Sequence, residues 1–120
     1  MYYEELASYD RNGFLVIVDK RWDDIDPRGC FDTEDADEIV AKINDETYDW
    51  FLLRVRVMFR GLELGSHYLG GCLYEDAREV LTDGTAEDCI GEALREARRE
   101  ALELKMELVE LDLERYVEAE

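Results

Sequence analysis

Residues 48–60 read YDWFLLRVRVMFR, with an apolar side chain at every second position from 51 to 59. Successive side chains of a β-strand point to opposite faces, so this alternation predicts a strand with one buried face. The other face is predicted to meet water or a partner, and it carries three arginines. We interpret these as internal partners of carboxylates on flanking helices, in preference to an RNA-binding sheet face: Arg54, Arg56 and Arg60.

The segments on either side of this strand predict a small sheet. Gly61 turns the chain into a second strand that runs from Leu62 to about Leu69. Beyond Gly70-Gly71 two alternatives stay open, a continuation past a bulge or the lead into a short helix over 75–81. Upstream, the β-branched segment FLVIVDKRW (14–22) predicts a further strand. About three strands are therefore expected, in a mostly antiparallel sheet.

Two helices complete the predicted fold. Thr33 is the predicted N-cap of the first, which runs to about Asp45 with apolar residues at helical spacing. The second begins with the capping-box-like TAED (85–88) and extends to about Val117. We therefore predict a single α+β domain over residues 1–120, with the helices packed on one face of the sheet.

The long C-terminal helix carries an apolar heptad seam. Its members are Ile90, Leu94, Ala97, Ala101, Leu104, Leu108 and Leu111. A helix of about thirty residues is longer than a three-stranded sheet is wide, so its second half is expected to overhang. A second apolar line runs along the far end: Leu102, Met106, Val109, Leu113 and Tyr116. Two interpretations stay open, packing within one chain or a homodimer through a seam at Leu104, Leu108 and Leu111.

The charge balance narrows the classes of partner. The chain has 32 Asp and Glu against 14 Lys and Arg, which gives a formal charge of −18. Such a surface repels nucleic acid, acidic membranes and anionic substrates, and it attracts basic partners. The acids are segregated, because 15 precede Trp50 and 16 follow Tyr74, around a nearly neutral β-hairpin. Only 3 of the basic residues are lysines, a composition that a salt-adapted surface would also have.

Seven glutamates form a stripe along the long helix, at spacings of four and three residues. Like charges at i, i+4 destabilise a helix by about 0.2–0.5 kcal/mol per pair. The alternative to a binding role is a solvated helix face. We predict that the stripe binds a basic partner, together with acids that precede Trp50. The predicted partner-binding residues are Asp23, Asp24, Asp26, Glu34, Asp35, Glu92, Glu96, Glu100, Glu103, Glu107, Glu110 and Glu114.

Residue patterns typical of catalysis or metal binding are weak. His67 is the only histidine, and a half-buried structural role is expected for it in the second strand of the hairpin. Ser66 is its neighbour, so the two side chains point to opposite faces. The segment 24–35 matches a calcium loop only in part, because position 5 is Arg28 and position 12 is Asp35. We therefore predict no enzymatic activity, no cofactor and no metal.

Cysteine usage and the N-terminal segment bear on location. Three widely spaced cysteines without a C-x-x-C motif favour reduced thiols: Cys30, Cys72 and Cys89. The segment MYYEELASYD (1–10) lacks the basic and apolar regions of a signal peptide. No apolar run reaches the ~18 residues of a membrane span. A cytoplasmic location is expected.

The segment YDWFLLRVRVMFRGLELGSHYLGGCLYEDAREVLTDGTAED (48–88) resembles a segment of small uncharacterised proteins of bacteriophages and their hosts. It covers about a third of the chain, and it implies no activity and no site residues. In size and charge the chain also resembles the phage-encoded DNA mimics that block restriction or CRISPR machinery. That second resemblance implies an inhibitor in the host cytoplasm. The alternative is a structural or assembly-helper protein, monomeric or dimeric, whose acidity serves solubility or salt adaptation.

Overall fold

The computed structural model describes residues 2–111 and has an α+β fold built on a four-stranded antiparallel sheet. Strands β1 (Glu4–Arg11) and β2 (Phe14–Trp22) come first, followed by a short 3-10 helix (Pro27–Cys30) and α1 (Thr33–Asn44). Strands β3 (Asp49–Phe59) and β4 (Leu62–Tyr74) then lead to a second 3-10 helix (Ala77–Leu81) and to α2 (Thr85–Glu110). The strand order in the sheet follows the chain order, so the sheet is a meander.

The alternation predicted for β3 is confirmed over most of its length. On the face that meets α2, its fully buried side chains are Phe51, Leu53, Val55 and Val57. They form one core with residues of β2 and α2, namely Val16, Val18, Ile90, Ala93 and Ala97. Phe59, the last member of the alternating set, remains 45% exposed at the end of the hairpin. The core therefore ends before the hairpin turn does.

The sheet has one strand more than expected. β1 pairs with β2 and forms one edge of the sheet. Its sequence EELASYDR contains Glu, Ala and Asp, which are depleted in strands, so propensity gave no signal there. The expectation of about three strands was therefore one too few.

β4 resolves the alternative left open at Gly70-Gly71. The strand continues to Tyr74, and its pairing with β3 shifts register between Phe51 and Leu53. Gly71 has φ +69°, a left-handed conformation that suits glycine at such an irregularity. The short helix expected over 75–81 is the 3-10 helix that begins at Ala77.

The connection between β2 and β3 covers the end of the sheet face opposite α2, whereas both helices were expected on one face. Trp50 is fully buried, and its side chain points away from the face that holds Phe51. Its ring lies 5.9 Å from that of Phe31, and its indole nitrogen donates a 3.0 Å hydrogen bond to the Ile25 carbonyl oxygen. Asp32, rather than Thr33, occupies the N-cap position of α1 within this connection.

α2 extends past the core, as expected, although it ends earlier than predicted. Its buried residues lie between Ala86 and Ala97, and every residue from 105 to 111 is exposed. The helix ends at Glu110, because Leu111 has extended backbone angles (φ −74°, ψ 140°). The remainder of the predicted helix, to about Val117, lies outside the described residues. Within residues 2–111, no helix has the length and apolarity that a bilayer crossing requires.

Candidate protein-binding surface

α2 presents a row of glutamates on one side. Six of the seven predicted members lie within the described residues, and all six are exposed. We call them the acidic stripe: Glu92, Glu96, Glu100, Glu103, Glu107 and Glu110. Glu114 lies outside the described residues. At 1.5 Å per residue, the six carboxylates are distributed over about 27 Å of helix.

Little positive charge compensates the acidic stripe. Among residues 2–111 its one ion pair joins Glu92 to Arg95, one turn further along α2. Arg98 and Arg99 lie on the same helix, and neither forms an ion pair with any of residues 2–111. Negative potential is therefore concentrated along one side of α2.

The arginines of β3 are held by an internal partner. Arg54 donates two hydrogen bonds to Asp19, of 2.8 and 2.7 Å, and Arg56 approaches the same carboxylate at 3.4 Å. Asp19 is only 3% exposed, and the ring of Tyr3 lies 3.4 Å from the Arg54 guanidinium carbon. Internal pairing is confirmed for these two, but the acid comes from β2 and not from a helix. Arg60 lies in the hairpin turn instead, with φ +50°.

Asp23 is removed from the predicted partner-binding set, because its carboxylate is buried and used internally. Its two oxygens accept backbone hydrogen bonds from Ile25 at 2.9 Å and from Gly71 at 2.7 Å. These bonds hold the start of the β2–β3 connection against the irregular part of β4. The position has a structural role.

The other predicted acids of this region are exposed, namely Asp24, Asp26, Glu34 and Asp35. Asp24 lies 3.3 Å from the Arg21 guanidinium, and Asp26 accepts the 3.0 Å hydrogen bond that caps the first 3-10 helix. Glu34 and Asp35 lie in the first turn of α1, where the helix dipole favours acids. The β2–β3 connection lies on the sheet face opposite α2, so these acids do not extend the acidic stripe into one surface.

The groups with potential chemistry are dispersed. Among residues 2–111 no group of three or more His, Cys, Asp or Glu side chains is placed to hold a metal ion. His67 is half-buried on β4, opposite Val55. Burial raises the pKa of the Cys72 thiol to about 11 and also raises that of Cys89. Neither thiol supplies a nucleophilic thiolate near neutral pH.

An apolar groove lies between the end of the β3–β4 hairpin and the last turns of α2. It has a volume of about 630 Å³ and is almost entirely apolar. The predicted dimer seam forms its α2 side, and hairpin residues form the other. We use the name apolar groove for the surface lined by Phe59, Leu62, Leu64, Leu104, Leu108 and Leu111. Of the described residues, Lys105 of α2 is the one charged residue that also lines it.

The apolar groove and the acidic stripe share a border. A smaller depression of about 240 Å³ is lined by Leu62, Leu64 and Leu104, which also line the groove. The same depression is also lined by Glu96 and Glu100 of the acidic stripe and by Glu63 of β4. One continuous surface thus combines apolar side chains with carboxylates.

Comparison with protein-family models, with curated proteins and with solved structures gives no match for the chain. The resemblance of segment 48–88 to bacteriophage proteins therefore stays an expectation.

Proposed function

We propose that this chain is a non-enzymatic binding protein whose acidic stripe occupies a basic, nucleic-acid-binding surface of another protein. The observation that supports it is the charge on α2: five of the six stripe residues have no ion pair among residues 2–111. A protein surface that binds phosphates would supply the missing positive charge. Binding would thereby exclude the nucleic acid.

The charge density of the stripe supports mimicry of a single strand more than of a duplex. One DNA strand has a phosphate about every 3.4 Å of axis, and the duplex one about every 1.7 Å. The acidic stripe has one carboxylate per roughly 5 Å of helix. The stripe would therefore compete with a nucleic acid through its single line of charges. It has no counterpart of the base edges that specify sequence. An anti-CRISPR or anti-restriction inhibitor is the concrete form of the proposal.

The stripe has a cost that a binding role explains. Three of its glutamate pairs within α2 are spaced i, i+4 (92–96, 96–100 and 103–107). Each such pair destabilises a helix by about 0.2–0.5 kcal/mol. Glutamine at these positions would keep the helix solvated without that repulsion. Neutralising the stripe is therefore expected to raise the stability of the protein while it weakens partner binding.

The test is displacement of DNA from a basic protein. The chain is titrated into complexes of a fluorescent single-stranded oligonucleotide with a panel of purified CRISPR and restriction nucleases. We expect at least one nuclease to release its DNA. The triple variant Glu96→Gln, Glu100→Gln, Glu103→Gln is expected to need roughly tenfold more protein, or about 1.4 kcal/mol.

The matched control removes three acidic groups elsewhere. Asp24→Asn, Glu34→Gln and Asp35→Asn change the net charge equally, but they lie in the β2–β3 connection and not on α2. This variant is expected to displace DNA as the wild type does. If no nuclease releases DNA, or if both triple variants behave alike, the proposal fails.

A second candidate function is a structural or assembly-helper protein, and the open apolar groove favours it. In that case the acidity would serve solubility or salt adaptation. Sedimentation velocity in low and molar salt separates the two candidates. If the chain is an assembly protein, molar salt would screen its negative charges and strengthen self-association. Association with a basic partner would instead weaken as salt rises.

A further inference from the structure

The apolar groove is open along its length. Leu62 and Leu108, on its two sides, are each 52% exposed, and Phe59 and Leu111 are also exposed. Contiguous apolar surface of this kind on a small protein marks an interaction site. The groove lies between a helix and a hairpin end, an arrangement that an amphipathic helix can fill with residues at i, i+3, i+4 and i+7.

The charge beside the groove decides between occupants. A second copy of this chain would also carry −18, and its own glutamates flank the same apolar seam. Pairing two copies there would bring Glu100, Glu103 and Glu107 of one copy close to the same glutamates of the other. A helix with lysines or arginines beside its apolar face would place opposite charges along this border.

We infer that the acidic stripe and the apolar groove together form a docking site for a basic amphipathic helix of the partner protein. The apolar anchors of that helix fill the groove between Leu62 and Leu108. Its basic side chains lie against the carboxylates from Glu96 to Glu107. This inference rests on the proposed function and goes beyond it, because nucleic-acid mimicry by charge needs no apolar anchors.

Two synthetic peptides of identical composition provide the probe. Both contain only leucine and lysine in equal number and have about 18 residues, or five helical turns. One has leucines at i, i+3, i+4 and i+7, and the other has them dispersed so that no apolar face forms. We expect the full chain to bind the amphipathic peptide roughly tenfold more tightly in fluorescence anisotropy. Binding of the amphipathic peptide should also weaken less as salt rises than binding of the dispersed peptide, because salt does not screen apolar burial.

Variants of exposed residues locate the contact. Leu108→Ser and Leu62→Ser each remove one anchor position of the groove and should weaken the amphipathic peptide roughly tenfold. The matched control is Met106→Ser. Met106 is 68% exposed on the same helix, and it lies roughly 160° around the axis from Leu108. The control should change binding less than about twofold, and circular dichroism checks that all three variants fold.

The outcomes separate this inference from the proposed function. Equal binding of the two peptides would overturn the inference, whereas displacement of DNA by charge would still be measured independently. Peptide binding that Leu108→Ser and Leu62→Ser leave unchanged would also overturn it. So would a dimer at micromolar concentration that Leu108→Ser dissociates, because a second copy would then cover the groove.

Discussion

Gly65 of β4 lies directly against the backbone of α2 at Ala93. A Cβ on Gly65 would be 2.3 Å from the carbonyl oxygen of Ala93 and 2.8 Å from the amide nitrogen of Ala97. Both alanines are fully buried and present only a methyl group to the sheet. This contact sets the distance of α2 from the sheet, and with it the position of the acidic stripe.

Gly65→Ala is therefore expected to destabilise the protein by about 1–3 kcal/mol or more, because the atoms that it meets belong to the backbone. Gly91→Ala is the control, since a Cβ there meets nothing within 4 Å. In the helix this second change should stabilise by about 0.5–1 kcal/mol. Urea denaturation measures the stability of both variants. A Gly65→Ala protein as stable as the wild type would contradict the close contact of α2 with β4.

The pair formed by Asp19 and Arg54 should be strongly coupled. Arg54→Ala leaves the buried carboxylate with only the 3.4 Å contact of Arg56, and we expect a loss of roughly 3 kcal/mol. A double-mutant cycle with Asp19→Ala should give a coupling free energy of about 1–3 kcal/mol. Arg28→Ala breaks an exposed ion pair with Asp37 and should leave the denaturation midpoint unchanged. A coupling near zero would show that the pair is not formed in solution.

The three thiols should differ in reactivity. Burial raises the pKa of Cys72 to about 11 and that of Cys89 in the same direction, whereas Cys30 is exposed. Iodoacetamide at pH 8 should therefore label Cys30 alone in the folded protein, and all three thiols in denaturant. Mass spectrometry counts the adducts. Rapid labelling of Cys72 in the folded protein would contradict its place in the core.

Tyr74 should contribute stability that depends on pH. Its hydroxyl donates a 2.6 Å hydrogen bond to Asp83, and this bond, with the Thr85 amide, holds the pKa of Asp83 below its ordinary value. A lowered folded-state pKa adds stability above the ordinary aspartate pKa, near 4, and that stability is lost as pH falls through the folded-state value. Tyr74→Phe should lower the free energy of unfolding at pH 7, and less so in acid. Denaturation of the wild type and of Tyr74→Phe, from pH 7 into acid, measures the difference in their free energies of unfolding. A difference that persists unchanged at low pH would contradict the link between Tyr74 and the pKa of Asp83.

The elements with regular periodicity could be predicted from the sequence, and the contacts between distant segments could not. β3 has a strict alternation and α2 a long heptad pattern, so both were identified. β1 carries acids on an edge strand and has neither signal. Asp19 meets Arg54 because β2 and β3 pair in one particular register across a long connection. No local pattern specifies that register.

The candidate surface was predicted in part for the same reason. The acidic stripe follows from helical spacing alone, and the six described glutamates are exposed as expected. Asp23 was misplaced, because its burial depends on the backbone of Gly71 on another strand. The hairpin side of the apolar groove was missed as well. Phe59 and Leu62 flank the Arg60-Gly61 turn, and apolar residues beside a turn are a signal that could have pointed to an exposed patch.

Within the described residues 2–111, the meander leaves two strand edges without a neighbouring strand, at β1 and at β4. The β1 edge carries three exposed acids, Glu4, Glu5 and Asp10. Edge-to-edge pairing of two molecules would bring these carboxylates together, and such charges are how natural sheets resist polymerisation. A neutral edge would lose this protection and would let the sheet extend from molecule to molecule.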